Sequence, residues 1–119
     1  MCNKRILFLD DDDTRTQGFL ALNPEAVCVK TAGECIAYLK ESWDEIYLDH
    51  DLGGEIFADS GREDTGMEVV RCIIRDLPSH LKNTLFIVHS MNVPAAVRMV
   101  EDLRSAGYTA ARGILRFGL

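Results

Sequence analysis

Short apolar segments alternate along the chain with stretches in which apolar residues recur at helical spacing. The clearest segments, residues 5–9, 45–48 and 85–88, are almost continuously apolar, as expected for strands that are buried on both faces. Weaker segments at residues 26–29 and within residues 109–115 complete a set of five predicted strands. The pattern therefore predicts strands and helices in strict alternation, beginning and ending with a strand.

Two of the predicted helices begin with the same capping signal. Thr31 and Glu34 have the spacing of a capping box, in which the threonine caps the helix and the glutamate reaches back to the backbone. Thr65 and Glu68 repeat this spacing directly before a strong apolar stripe. Pro78 predicts the end of that helix, because proline cannot donate to the helical ladder.

The other two helices are predicted from different signals. Pro94 suits a first helical turn, so Asn92 or Val93 is expected to cap the last helix, and Gly107 is expected to end it. The helix between the first two strands is the least clearly marked and is placed within residues 14–22.

The alternation of strands and helices predicts an α/β fold with three layers, helix on sheet on helix. Right-handed crossovers and five strands favour a parallel sheet in the order 2-1-3-4-5, the flavodoxin-like arrangement. In such sheets, ligands bind at the carboxyl ends of the strands, near the first and third. The connection over residues 51–64 is long for this kind of fold and is typical of a functional loop.

Composition and charge exclude several classes of protein. The 119 residues are 47% hydrophobic, which predicts one domain over residues 1–119 with a substantial core. With 13 basic and 19 acidic residues the net charge is −6, which argues against duplex DNA as a partner. No apolar run approaches the roughly 20 residues of a membrane span. The four cysteines form no C-x-x-C motif, so we expect reduced thiols and a cytoplasmic protein.

Acidic residues follow the first and third predicted strands. Asp10 and Asp11 open a run of four aspartates, and Asp49 follows the third strand. We expect these carboxylates to meet at one edge of the sheet, where their mutual repulsion is relieved by a cation. An all-oxygen ligand set suits Mg²⁺ or Mn²⁺ better than zinc. Capping of the first helix is the alternative use of the aspartate run, but it does not explain Asp49.

Two histidines and a polar pair lie at the same predicted edge. His50 and His89 can act as general acid or base beside carboxylates, which would raise their pKa values, or can serve as hydrogen-bonded structural residues. Ser90 and Asn92 precede the last helix, whose N-terminus is suited to bind a phosphate. The predicted catalytic residues are therefore Asp49, His50 and His89.

Several of these segments resemble the receiver domains of response regulators. The segment RILFLDDD resembles the acidic end of their first strand, and EIYLD places Asp49 where receivers carry the phosphoacceptor. Closer still is a divergent group, the cyclic-phosphate processing receiver domains, which LDHDLG at residues 48–53 and HSMN at residues 89–92 resemble. That resemblance implies a metal-assisted phosphoester function with both histidines in the site.

Two departures from ordinary receivers bear on function. The fourth strand ends in His89 and Ser90, and either of them could match the receiver serine or threonine. Residues 109–115 contain neither lysine nor proline, whereas receivers end the fifth strand with a lysine that couples phosphorylation to the far face.

Three functions are consistent with these residues. The first is an enzyme that hydrolyses a phosphate ester, such as a small cyclic phosphate or an RNA end. The second is a phosphorelay module in which Asp49 accepts a phosphoryl group from a histidine kinase or phosphotransfer protein. The third is a receiver-like binding domain without catalytic activity.

Overall fold

The computed structural model describes residues 4–52 and 59–113, and these residues form five strands and four α-helices. The elements are β1 Ile6–Leu9, α1 Asp13–Leu22, β2 Val27–Val29, α2 Ala32–Tyr38, β3 Glu45–Leu48, α3 Gly66–Asp76, β4 Leu85–Val88, α4 Val93–Ser105 and β5 Thr109–Arg112. One turn of 3-10 helix, Ser79–Leu81, precedes β4 and was not predicted. Among the described residues, no helix is long and apolar enough to cross a membrane.

The strands form one parallel sheet in the order β2-β1-β3-β4-β5, which confirms the predicted fold class. The three central strands are in register, since Leu9 pairs with Leu48 and Leu48 with Val88. Backbone hydrogen bonds continue one residue further, from Asp49 N to Leu9 O and from His89 N to Leu48 O. Residues 10, 49 and 89 are therefore held side by side by the backbone itself.

Each face of the sheet buries its own apolar cluster, because successive side chains of a strand point to opposite faces. One face packs against α2, α3 and α4 through Leu7, Leu9, Ile46, Leu48, Phe86 and Val88. The other face packs against α1 through Ile6, Phe8 and Phe19, with Tyr47 partly buried against them. We call these the α3 face and the α1 face.

Two of the helix caps predicted from the sequence are present in the structure, and a third is absent. The Thr31 side chain accepts a hydrogen bond from Glu34 N, and Asn92 accepts one from Ala95 N, as capping predicts. The capping box predicted at Thr65 is wrong. Thr65 is the N-cap residue of α3, but its buried hydroxyl donates to Arg62 O and caps no backbone N–H.

The remaining boundaries differ from prediction by small amounts. Strands β1 and β2 each begin one residue later than predicted, and α1 begins one residue earlier, at Asp13. Strand β5 ends at Arg112, and the predicted range up to residue 115 extends beyond the described residues. Residues 53–58 of the long loop also lie outside them.

Candidate functional site

The predicted acidic residues come together at the carboxyl ends of β1 and β3. One carboxylate oxygen from each of Asp10, Asp11 and Asp49 lies within 4.8 Å of the others. Asp10 and Asp49 are buried, and Asp11 is half-buried. Carboxylates this close repel one another unless positive charge is nearby, and they form the kind of oxygen ligand set that Mg²⁺ or Mn²⁺ prefers.

Asp49 is incompletely hydrogen-bonded within the acidic cluster formed by Asp10, Asp11 and Asp49. Its Oδ1 accepts a hydrogen bond from His50 N at 2.9 Å, but its Oδ2 is buried and has no hydrogen-bond partner among the described residues. Burial, and then the charge of Asp10, raise the pKa of Asp49 to about 7. A cation bound here would remove both penalties, because it would pair the buried oxygen and favour the ionised carboxylate.

Arg15 supplies positive charge to the acidic cluster and was missed by the sequence analysis. From the first turn of α1, its Nε donates to Asp10 Oδ2 at 2.7 Å and its Nη2 donates to Asp10 Oδ1 at 2.9 Å. Nη2 also lies 3.7 Å from Asp49 Oδ2. The hydrogen bond with Asp10 raises the pKa of Arg15, so the guanidinium is permanently charged.

His89 lies on the α1 face beneath Asp10. Its ring stacks on Phe8 with centroids 5.1 Å apart and planes 4° from parallel. Nδ1 is 3.7 Å from Asp10 Oδ2, and neither ring nitrogen has a hydrogen-bond partner among the described residues. Burial outweighs the nearby carboxylate and lowers the pKa of His89 to about 4, so the predicted rise in its pKa is wrong.

His50 lies on the α3 face, although it is adjacent in sequence to Asp49. Its ring is fully buried, with Nδ1 2.9 Å from Asp51 Oδ1 and Nε2 2.9 Å from Ser60 Oγ. The carboxylate favours the tautomer with hydrogen on Nδ1, which leaves Nε2 to accept from the serine hydroxyl. The two predicted histidines therefore lie in separate environments, and Ser60 is a further neighbour that the sequence did not indicate.

Ser90 and Asn92, the predicted phosphate-binding residues, form the turn that leads into α4. Ser90 Oγ accepts a hydrogen bond from Asn92 N at 3.1 Å, and Asn92 Oδ1 accepts from Ala95 N at 3.3 Å. Asn92 Nδ2 lies 3.4 Å from Asp51 Oδ1, so it connects the start of α4 to the end of β3. Both side chains position this turn next to His50.

A cavity of about 340 Å³ adjoins the acidic cluster on the side of β2. It is lined by Asp11, Lys30, Thr31, Leu52 and Asp64. Its walls combine both signs of charge with an apolar side chain, so it offers space for a small polar molecule beside the carboxylates.

The sequence of residues 5–105 matches the family described as the cyclic-phosphate processing receiver domain. The chain belongs to this family. Among curated proteins, no relative matches it.

Solved receiver structures resemble this receiver domain in fold. The receiver domain of the Francisella response regulator 1452 is 16% identical, with a TM-score of 0.63 over 92% of this chain and 84% of that one. The response regulator domain of Thermotoga maritima CheB is 19% identical, with a TM-score of 0.59 over 95% and 78% of the two chains. A response regulator from Colwellia psychrerythraea is 16% identical, with a TM-score of 0.63 over 93% and 82%.

Proposed function

We propose that this receiver domain binds Mg²⁺ or Mn²⁺ through Asp10, Asp11 and Asp49 and hydrolyses a phosphate ester, in the first instance a cyclic one. The observation that carries the proposal is the convergence of three carboxylates within 4.8 Å, one of which has a buried oxygen without a hydrogen-bond partner among the described residues. The family description supports the substrate class.

The proposed reaction assigns different tasks to the residues of this edge. The cation would neutralise charge on the phosphate oxygens. Water attacks phosphorus and loses a proton, while one ester P–O bond breaks and its oxygen gains a proton. We assign proton transfer to His50, because Asp51 orients its ring and Ser60 links its Nε2 to a less buried position. His89, with its low pKa, is a weaker base and is assigned to packing beneath Asp10.

The start of α4 is the proposed phosphate site. Ser90 and Asn92 hold the turn before this 13-residue helix, whose first N–H groups attract anions. The organic part of a small ester would occupy the cavity beside Asp11. An RNA end carrying a cyclic phosphate presents the same chemical group and is the larger candidate substrate.

The test combines metal binding with turnover. We expect Mg²⁺ or Mn²⁺ to raise the melting temperature of the wild-type protein and to support hydrolysis of a 2′,3′-cyclic nucleoside phosphate. The variant Asp49→Asn should lose both effects, and His50→Ala should lose about 100-fold in rate while keeping the metal response. Asp76→Asn, at an exposed ion pair with Arg75 at the end of α3, is the matched control and should behave as wild type.

A phosphorelay role is the second candidate, because Asp49 stands beside two further acidic residues and one of its oxygens has no hydrogen-bond partner among the described residues. Strand β5 contains no lysine, which weighs against ordinary receiver switching. Acetyl phosphate, or a histidine kinase, would then add one phosphoryl group at Asp49 without turnover of a cyclic ester. If neither labelling nor turnover occurs, the third function, a binding domain without catalysis, is favoured.

A further inference from the structure

The guanidinium of Arg15 donates to both carboxylate oxygens of Asp10, through which a cation would also have to bind. We propose that Arg15 and the divalent cation compete for the carboxylate of Asp10, and that the guanidinium displaced by the cation binds the phosphate group of the ligand. This inference rests on the cation site of the proposed function and adds a role for Arg15 to it.

The hydrogen bonds of Asp10 leave little room for a second cationic partner. Arg15 donates to both carboxylate oxygens, at 2.7 and 2.9 Å, and Asp12 N donates to Oδ1 at 2.9 Å. A carboxylate offers about four lone-pair positions, so three of those of Asp10 are already in use. The side chain of Asp10 has no exposed surface from which a metal could be reached without disturbing these bonds.

Electrostatic repulsion makes the competition stronger. Mg²⁺ binds carboxylate oxygens at about 2.0–2.1 Å, so a metal on Asp10 would lie within about 5 Å of a guanidinium nitrogen bonded to the same oxygen. Water screens this repulsion poorly, because Asp10 and Asp49 are buried. The arginine already neutralises part of the charge that otherwise attracts the cation.

Arg15 is free to move because only its side chain must leave. The side chain is 40% exposed, so the guanidinium enters the cluster from the solvent side. The backbone stays fixed, since Arg15 N donates to Asp12 Oδ2 at 2.8 Å and α1 is held to the sheet by Phe19, whose ring stacks on Phe8. A guanidinium released here remains at the carboxyl edge, where a phosphate on the cation would lie, and its planar fork matches phosphate oxygens.

Arg75 provides a matched control. It is another arginine paired with an aspartate, but its guanidinium contacts the exposed Asp76 at the end of α3 rather than Asp10. Arg75→Gln therefore makes the same chemical change as Arg15→Gln. It leaves the hydrogen bonds of Asp10 unchanged.

The first experiment measures Mn²⁺ binding and then inorganic phosphate binding at saturating Mn²⁺, both by calorimetry. Arg15→Gln should bind Mn²⁺ roughly tenfold more tightly and phosphate roughly tenfold more weakly than wild type, whereas Arg75→Gln should change both by less than about twofold. An Arg15→Gln variant with unchanged or weaker Mn²⁺ binding overturns the inference. If Mn²⁺ binds to no variant, the cation site of the proposed function is itself refuted.

A second measurement uses the unaltered protein, in case Arg15→Gln fails to fold with an unpaired buried carboxylate. The Nε–H signal of Arg15 in a ¹⁵N NMR spectrum reports its hydrogen bond to Asp10. Titration with Mg²⁺ should shift this signal and accelerate its exchange with water. Mg²⁺ binding that leaves the signal unchanged shows that Arg15 stays on Asp10 and refutes displacement.

Discussion

Gly66 is the residue whose substitution most directly tests how α3 supports the site. It is the first residue of α3, and its N–H donates to His50 O at 2.9 Å. A Cβ at this position would lie 1.9 Å from Asp49 O and 2.9 Å from the carbonyl carbon of Asp49. The atoms in the way are backbone, so Gly66→Ala requires either α3 or the end of β3 to move.

The expected cost follows from these distances. Relieving the clash needs a displacement of roughly 1 Å, and overpacking of this kind typically costs about 1–3 kcal/mol. Strain on the hydrogen bond to His50 O adds to this cost, whereas the better helix propensity of alanine offsets at most about 1 kcal/mol. We therefore expect Gly66→Ala to lower the free energy of unfolding by about 2 kcal/mol. A shift of Asp49 by about 1 Å should also lower the rate of phosphate-ester hydrolysis by about 100-fold.

Gly33→Ala is the matched control, because it makes the same chemical change in another helix. Gly33 lies in the first turn of α2, and a Cβ there would meet nothing within 4 Å. Alanine should stabilise this position by roughly 0.5–1 kcal/mol. Urea denaturation of the three proteins gives the free energies of unfolding, with the slopes checked for equality.

The two substitutions should thus change stability in opposite directions. If Gly66→Ala proves as stable as wild type, or if it stabilises as much as Gly33→Ala, the close contact with Asp49 does not control this helix start. If it destabilises the fold but leaves Mn²⁺ affinity intact, the displacement is absorbed by α3 and does not reach the acidic cluster.

Two further predictions concern a buried ring and a helix cap. The pKa of His89 falls from about 6.5 in the unfolded chain to about 4 in the folded protein, so this residue binds more protons in the unfolded state between these values, and its contribution to stability should fall by about 3 kcal/mol as pH drops from 6.5 to 4. Asp49, whose pKa is raised to about 7, changes stability in the opposite direction over this range, so the contribution of His89 is measured as the difference between wild type and His89→Phe. His89→Phe should remove that part of the pH dependence in a denaturation series, and an unchanged slope would contradict the burial of a neutral ring. Thr31→Ala should cost about 1 kcal/mol, because Thr31 Oγ1 accepts from Glu34 N at 3.1 Å, whereas Thr31→Ser should retain most of the cap. Equal losses for the two Thr31 variants in urea denaturation would argue against the cap.

The fold could be predicted because each level of the sequence indicates the same arrangement. Strands β3 and β4 are apolar on both sides, as a sheet covered by two helical layers requires, and their predicted bounds agree with the structure. Once the strand order is known, the parallel register places Asp10, Asp49 and His89 at one edge. The convergence of the acidic cluster therefore follows from topology.

Side-chain partners could be predicted less well, because local spacing does not determine them. Thr31 and Thr65 share the capping-box spacing, yet Glu68 pairs with Arg71 rather than with the helix start, and the Thr65 hydroxyl donates to the preceding loop. Arg15 follows an aspartate run, and nothing in the sequence distinguishes it from an ordinary helical residue. Its attachment to Asp10 depends on a rotamer that the sequence does not specify.

The separation of the two histidines, in contrast, is implied by the sequence. Alternation continues past the end of β3, so Asp49 and His50 face opposite sides of the sheet. Past the end of β1 it does not hold, since Asp10 and Asp11 both reach the acidic cluster. Since Asp49 joins Asp10 on the α1 face, His50 must turn towards Asp51 and Ser60.

The alternation of Asp49 and His50 also determines which mutations this edge tolerates. Replacing either side chain alters one face and leaves the other face with its own partners. Inserting or deleting one residue within β3 is different, because it would carry the carboxylate to the α3 face and the imidazole to the α1 face. This edge of the sheet should therefore tolerate substitutions on each face separately, but not insertions or deletions that change the length of β3. A redesign of its chemistry should keep β3 at four residues.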